Sequence, residues 1–244
     1  MPAMNIPPNN EKLRNSITKT YLALRWGMVG IGLILPFFLL IVHHWVTAAP
    51  QPDSISGYYH TPLRDVFVGA LVTTGAFMVL YKIFTPIENW LLNIAGVSAI
   101  LVAMLPCAVP TGFPPAEFTS PAAHKVFAIT TFGCLGLVAM FCANKTLDKE
   151  RLSKKKVKIF HVFYKTIGVL MIAFPGVVAL FYAAGTANLF WVESAGLWVF
   201  SAYWGAKTVE FGITGAEKKA ITGSAGPSPD RTGEGSEAPR RVTR

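Results

Sequence analysis

The stretch from residue 26 to residue 42, WGMVGIGLILPFFLLIV, contains no charged side chain. A helix rises about 1.5 Å per residue, so about 20 such residues cross the hydrocarbon core of a bilayer. With its flanking residues, this stretch predicts a transmembrane helix over 21–46. Comparable apolar stretches predict five more, over 66–81, 90–109, 124–143, 159–182 and 189–206. The sequence therefore predicts an all-α fold, a polytopic membrane protein built as a six-transmembrane-helix bundle.

The composition of the whole chain favours a membrane protein over a soluble one. Hydrophobic residues make up 52% of the 244 residues and charged residues only 14%, with a mean hydropathy of +0.44. Soluble domains carry roughly 25% charged residues. The formal net charge is +9, but the basic residues lie between apolar stretches and in the C-terminal tail. That distribution is typical of cytoplasmic loops, and no nucleic-acid partner is expected.

Lysine and arginine are divided unevenly between the two sides of the predicted bundle. Of the 22, 20 fall on one side, and only Arg64 and Lys125 fall on the other. Because basic residues accumulate on the cytoplasmic side, we expect both termini in the cytoplasm. Residues 1–20 are predicted as a cytoplasmic segment and 21–212 as the transmembrane domain. Residues 213–244 have too few apolar side chains to order themselves and are predicted as a disordered basic cytoplasmic tail.

Several ionisable residues are predicted to gather on the opposite, outer side of the membrane. Ionisable groups at membrane depth usually face the bundle interior or a cavity and have a partner. A polar pocket for a lipid headgroup or a small polar ligand is therefore one hypothesis, with Arg64 pairing an anionic group. Its candidate ligand-binding residues are Tyr59, His60, Arg64, Asp65, His124 and Glu193. Alternatively, Asp65 is stabilised only by its helix N-terminus and Arg64 pairs with Asp65 or Glu193.

Four of these residues have side chains that zinc accepts as ligands. They are His60, Asp65, His124 and Glu193, and a zinc ion among them could activate a water for hydrolysis. None of the four shows the close ligand spacing of a metalloprotease helix. A catalytic metal is thus a secondary hypothesis, and no cofactor is assigned.

Two motifs distinguish this chain. Residues 54–69 are Ser-Ile-Ser-Gly-Tyr-Tyr-His-Thr-Pro-Leu-Arg-Asp-Val-Phe-Val-Gly, and Phe-Trp-x-Glu-x-x-x-Leu-Trp-x-Phe begins at residue 190. Together with His-Lys-Val-Phe-Ala from residue 124 and the basic loop before the fifth helix, they resemble an uncharacterised family of bacterial six-span membrane proteins. The resemblance extends over most of residues 20–212. It implies a bacterial inner-membrane location.

The chain is also distantly similar to two larger groups, the Frag/DRAM/Sfk-type membrane proteins and the alkaline-ceramidase and adiponectin-receptor superfamily. The second group consists of seven-span zinc hydrolases that use Ser, Asp and three His. The residues that match are Ser56, His60, Asp65 and His124. This chain differs in having six predicted spans and no His-x-x-x-His pair in its last helix, where Glu193 is the candidate ligand.

The leading functional hypothesis is thus an inner-membrane protein with a periplasmic-side polar pocket. The pocket includes Ser56 in addition to the six residues given above. The alternatives are a metal-dependent membrane hydrolase and a non-catalytic subunit of a larger membrane complex. The expected partners are the bilayer itself and either a lipid headgroup or other membrane subunits.

Overall fold

The computed structural model describes residues 11–82, 85–110, 112–143, 147, 152–185 and 189–215. Within these ranges the chain is helical and contains no strand. The predicted disordered tail lies almost entirely outside the described residues, as do the first ten residues and much of the basic loop before the fifth helix.

Six α-helices account for most of the described chain. They are α1 (Glu11–Val46), α2 (Arg64–Leu80), α3 (Pro86–Met104), α4 (Pro121–Leu137), α5 (Lys154–Ala183) and α6 (Phe190–Thr214). A 3₁₀ turn, Ser56–His60, precedes α2, and a π-helical turn, Val138–Cys142, continues α4. The prediction of an all-α fold is confirmed.

The helix ends differ from the predicted spans for local reasons. α3 begins at Pro86, earlier than predicted, because Pro suits the first helical turn and the Thr85 side chain accepts a hydrogen bond from the Glu88 N–H. α6 continues eight residues beyond its predicted end and stops at Thr214, where Gly215 takes a left-handed conformation with φ of 61°. The extension keeps Lys207 and Glu210 within the helix.

The helices pack in chain order. Each packs on its neighbours in sequence, and α1 packs on α6, so the six form a closed ring. Small residues let two neighbouring pairs approach closely: a Cβ on Gly75 of α2 would lie 2.5 Å from the Gly96 carbonyl of α3. Gly136 of α4 and Gly168 of α5 make a similar contact. Close backbone approach at small residues is typical of helix pairs in membranes.

Four stretches are long and apolar enough to cross a membrane by length and composition. They are Asn15–Val46, Pro86–Met104, Pro121–Cys142 and Lys154–Ala183. α2 has only 17 residues, and α6, although it has 25, contains Glu193, Lys207 and Glu210. Large apolar side chains stay exposed along the sides of the ring, among them Ile34, Val97, Ile129 and Val169. These features support an integral membrane protein, and the two further spans remain a prediction.

Candidate functional site

Polar residues from three separate segments meet where the 3₁₀ turn approaches the first turns of α4 and α6. The Glu193 Oε2 atom accepts a hydrogen bond from the Ser56 N–H at 3.0 Å and lies 3.4 Å from Ser56 Oγ. The His124 Nε2 atom lies 3.2 Å from the same Oγ. His124 is buried, and Ser56 and Glu193 are half-buried. The two sequence motifs therefore contact each other through Ser56 and Glu193.

The protonation of His124 follows from its neighbours. Its Nδ1 atom lies 2.8 Å from the Leu105 carbonyl oxygen and 3.1 Å from that of Val102. Carbonyl oxygens only accept hydrogen bonds, so Nδ1 must carry the proton, and in the neutral ring Nε2 is an acceptor. These carbonyls belong to the C-terminal end of α3, where backbone acceptors lack helical partners. His124 thus joins α4 to α3 and presents an acceptor to Ser56.

His60 and Cys107 extend this group of residues. The His60 Nε2 atom lies 3.1 Å from the Cys107 carbonyl oxygen, and the Cys107 thiol donates to the Ser56 carbonyl at 3.3 Å. Burial, with a smaller contribution from the Glu193 charge, raises the pKa of the Cys107 thiol to about 12. We refer to Ser56, His60, Cys107, His124 and Glu193 as the Ser56 site.

The structure places the other predicted residues outside this group. Arg64 is exposed, donates to the Tyr59 hydroxyl at 2.6 Å and lies over the Tyr59 ring at 4.3 Å. Tyr59 in turn packs edge-on against His60. Asp65 is exposed in the first turn of α2. Arg64 and Tyr59 therefore border the Ser56 site through His60, whereas Asp65 has no described contact with it.

The four candidate zinc ligands do not converge on a common point. His60 Nε2 faces the Cys107 carbonyl and His124 Nδ1 faces two carbonyls, while Asp65 points to the exposed surface of α2. Across the described ranges, no group of three or more His, Cys, Asp or Glu side chains is placed to hold a metal ion. In this arrangement the residues do not fit a zinc centre.

A surface cavity of about 510 Å³ is formed by residues outside the Ser56 site. Its walls are the last turn of α1 and the segment after it, from His43 to Ala49, together with Gln51. His43 is buried, with its Nε2 atom 3.1 Å from the Ala49 carbonyl, whereas His44 is exposed. This cavity contains none of the predicted ligand-binding residues.

A second polar cluster, which the sequence analysis did not predict, lies at the other end of the ring. Glu88, Tyr164, Tyr203, Lys207 and Glu210 are all buried there, and we refer to these five residues as the Glu88 site. Lys207 is one of the 20 basic residues assigned above to the cytoplasmic side. Its ammonium is buried and pairs with Glu210 Oε2 at 3.0 Å. Residues three apart lie on the same face of a helix, so the spacing of Lys207 and Glu210 could have indicated this ion pair.

Comparisons with known proteins find no match: no family model, no curated protein and no solved structure is significantly similar to this chain.

Proposed function

We propose that this chain is a six-span bacterial inner-membrane protein whose Ser56 site binds a phosphate-bearing polar ligand, with the lipid headgroup as its natural source. The observation that carries the proposal is the convergence of Ser56, His124 and Glu193 from three segments at one end of an apolar bundle. Buried polar side chains at such a position are costly unless they serve one another or a ligand. Here they serve one another, and because a carboxylate oxygen can accept more than one hydrogen bond, Glu193 can also accept one from a ligand.

The chemistry of the ligand follows from the charges at and beside the site. The Glu193 carboxylate can accept hydrogen bonds from an ammonium or hydroxyl group, and His124 holds Ser56 in place. Arg64 is exposed on the neighbouring turn, and a guanidinium is well suited to bind phosphate oxygens. The Tyr59 hydroxyl accepts a hydrogen bond from Arg64, and the Tyr59 ring packs against the guanidinium. A zwitterionic or hydroxylated phosphate headgroup would satisfy both charges.

The test measures phosphorus that copurifies with protein in mild detergent, separated into organic-extractable lipid and water-soluble phosphate. We expect bound phospholipid in the wild type and a loss of about tenfold in Arg64→Ala and Glu193→Gln, the effect of losing one charged hydrogen bond. Lys125→Ala and Glu117→Gln change exposed charges on the same side of the bundle and should retain the lipid. Equal lipid in all five proteins would refute the proposal, and phosphorus confined to the aqueous fraction would identify free phosphate as the ligand.

One observation favours a second candidate, a metal-independent serine hydrolase. Ser56 Oγ lies 3.2 Å from His124 Nε2, and the ring is oriented by carbonyls at Nδ1, which resembles a nucleophile beside its general base. Glu193 departs from the usual arrangement because it contacts the serine instead of the histidine. Covalent labelling by a fluorophosphonate, lost in Ser56→Ala and His124→Ala, would support this candidate. A wild-type protein that the fluorophosphonate does not label would rule out the serine hydrolase.

The metal-dependent hydrolase and the complex subunit remain predictions. Metal analysis of purified protein tests the first: near one zinc per chain, lowered in His60→Ala and His124→Ala, would require the donors to rearrange from the positions described above. Purification from membranes in mild detergent with stoichiometric partner chains would support the second.

A further inference from the structure

Helix α5 is the least buried of the four helices that are long and apolar enough to cross a membrane. Only 17% of its spanning window is buried, against 39%, 44% and 33% for the other three. Its 30 residues extend about 45 Å at 1.5 Å per residue, which matches the hydrocarbon core together with both headgroup layers. When α5 crosses the bilayer, its first turns therefore lie at headgroup depth and its exposed side faces acyl chains.

A surface groove of about 570 Å³ lies along one side of α5. Its lining residues are Lys155, Lys158, Ile159, Val162, Phe163 and Thr166. Residues at these intervals of three and four fall on one stripe of a helix. The stripe extends about 17 Å along the helix axis, slightly more than half of the hydrocarbon thickness of about 30 Å. The groove therefore has the length of an acyl chain within one leaflet.

The groove is charged at one end and mainly apolar along the rest of its length. Lys155 and Lys158 lie in the first two turns of α5, and Ile159, Val162 and Phe163 follow them. Ile159 and Val162 have exposed fractions of 58% and 54%, so their apolar surface is available to a ligand. Lysine stems pack along apolar surface while the ammonium reaches the headgroup layer. A charged end followed by an apolar wall is complementary to a single lipid molecule.

The charge around the groove determines which lipid is favoured. Residues 144–158 contain seven Lys or Arg and two Asp or Glu, a formal charge of +5. The first turn of α5 contains no acidic residue. Lysine binds phosphate as a point charge, and basic residues beside a transmembrane helix attract anionic lipids. A second copy of the chain fits this groove less well, because a twofold interface would bring the same lysines of both copies together.

We propose that this groove binds one anionic phospholipid of the bilayer. The phosphate contacts Lys155 and Lys158, and one acyl chain lies along Ile159, Val162 and Phe163. We refer to the six lining residues as the α5 lipid site. It shares no residue with the Ser56 site and differs in chemistry, because it contains no carboxylate to bind the ammonium of a zwitterionic headgroup. The proposal depends on α5 crossing the bilayer and not on the function proposed for the Ser56 site.

Native mass spectrometry of the full chain in a neutral detergent tests the proposal by counting bound lipids. The groove is open along its length, so its lipid exchanges with detergent during purification and binding is measured by adding lipid back. All proteins carry Arg64→Ala, which removes the lipid proposed at the Ser56 site, so the two proposals can fail separately. We expect one phosphatidylglycerol to bind at least about tenfold more tightly than phosphatidylcholine, as the loss of one charge interaction implies.

Two pairs of lysine substitutions separate the groove from the general charge of the segment. Lys155→Gln/Lys158→Gln should weaken phosphatidylglycerol binding about 30-fold, at roughly fivefold for each lysine. Lys154→Gln/Lys156→Gln removes the same charge from the same turns but outside the groove lining. This control pair should lose no more than about threefold, because salt at about 0.15 M screens charges beyond about 8 Å. All four lysines are exposed, so both variants are expected to fold.

A second pair of variants tests the acyl-chain part of the groove. Val162 and Val169 have the same exposed fraction, 54%, but only Val162 lines the groove. Val162→Trp should fill the groove and weaken phosphatidylglycerol binding at least about tenfold, whereas Val169→Trp, two turns further along, should leave it unchanged.

Three results would overturn the proposal. Equal losses in the two lysine pairs would mean that only the general charge of the segment attracts the lipid. Equal affinities for phosphatidylglycerol and phosphatidylcholine would mean that the groove does not select an anionic lipid. A dimer in the same spectra that Val162→Trp dissociates would show that a second copy of the chain occupies the groove.

Discussion

The Ser56 site and the Glu88 site lie near opposite ends of the ring and accommodate buried polar groups in different ways. Along α6, Glu193 and Lys207 are separated by about 21 Å at 1.5 Å per residue. The Ser56 site relies on backbone groups, namely the Ser56 N–H and the carbonyls of Val102, Leu105 and Cys107. The Glu88 site relies on side-chain charges that satisfy one another. A network anchored on backbone tolerates the loss of one member better than a network of charges does.

The largest effect is expected from Lys207→Met, which removes the only ammonium in the Glu88 site as defined above. The buried Glu210 carboxylate then loses its ion-pair partner, so the free energy of unfolding should fall by about 3–5 kcal/mol. Thermal unfolding of purified protein in detergent measures the change.

Two variants serve as controls for Lys207→Met. Lys125→Met alters a lysine whose side chain is exposed and should unfold as the wild type does. The double variant Lys207→Met/Glu210→Gln also removes the stranded Glu210 carboxylate and should regain part of the loss. A Lys207→Met protein as stable as the wild type would mean that the Glu88 site does not depend on the charge of Lys207.

A medium effect is expected from Gly75→Ala, at a contact between the two sites where no side-chain charge is involved. The added Cβ would lie 2.5 Å from the Gly96 carbonyl oxygen, so α2 and α3 must separate, at about 1–3 kcal/mol. Gly69→Ala on the same helix meets no atom within 4 Å and should be neutral or slightly stabilising. Equal melting temperatures for the two variants would show that the close approach of α2 and α3 contributes little.

The smallest effect concerns the Cys107 thiol in the Ser56 site. Because burial raises the pKa of this thiol to about 12, maleimide labelling at pH 8 should be at least about 100-fold slower than at an exposed cysteine introduced by Glu117→Cys. The thiol is neutral in the folded state up to a higher pH than in the unfolded state. Its contribution to stability is therefore complete below about pH 9 and is lost as the pH rises from 9 to 12.

Peptide mapping after labelling distinguishes Cys107 from Cys134 and Cys142. Glu193→Gln should accelerate labelling of Cys107 modestly, because the Glu193 charge contributes to the raised pKa. Labelling of Cys107 as fast as at the exposed position would indicate that the Ser56 site is open to water.

The all-helical fold and the position of most helices could be predicted from sequence because long apolar stretches have few alternatives. The pairing of Ser56 with Glu193 could not be predicted from sequence, because 137 residues separate them and only the closure of the helix ring brings them together. His124 was predicted as a site residue, but its carbonyl partners depend on where α3 ends. The Glu88 site was missed for a different reason. Lys207 and Glu210 resemble an ordinary charged flank until α6 is known to continue past them.

We propose that the helices form six spans with both termini on the cytoplasmic side, which would place the Ser56 site on the outer side and the Glu88 site toward the cytoplasm. Reporters of membrane side fused after Lys156 and at Arg244 test it most directly, beside reporters inserted within residues 50–60 and 112–120. Cytoplasmic signals are expected from the first two positions and external signals from the two loops. An external signal from the C-terminal fusion would contradict it.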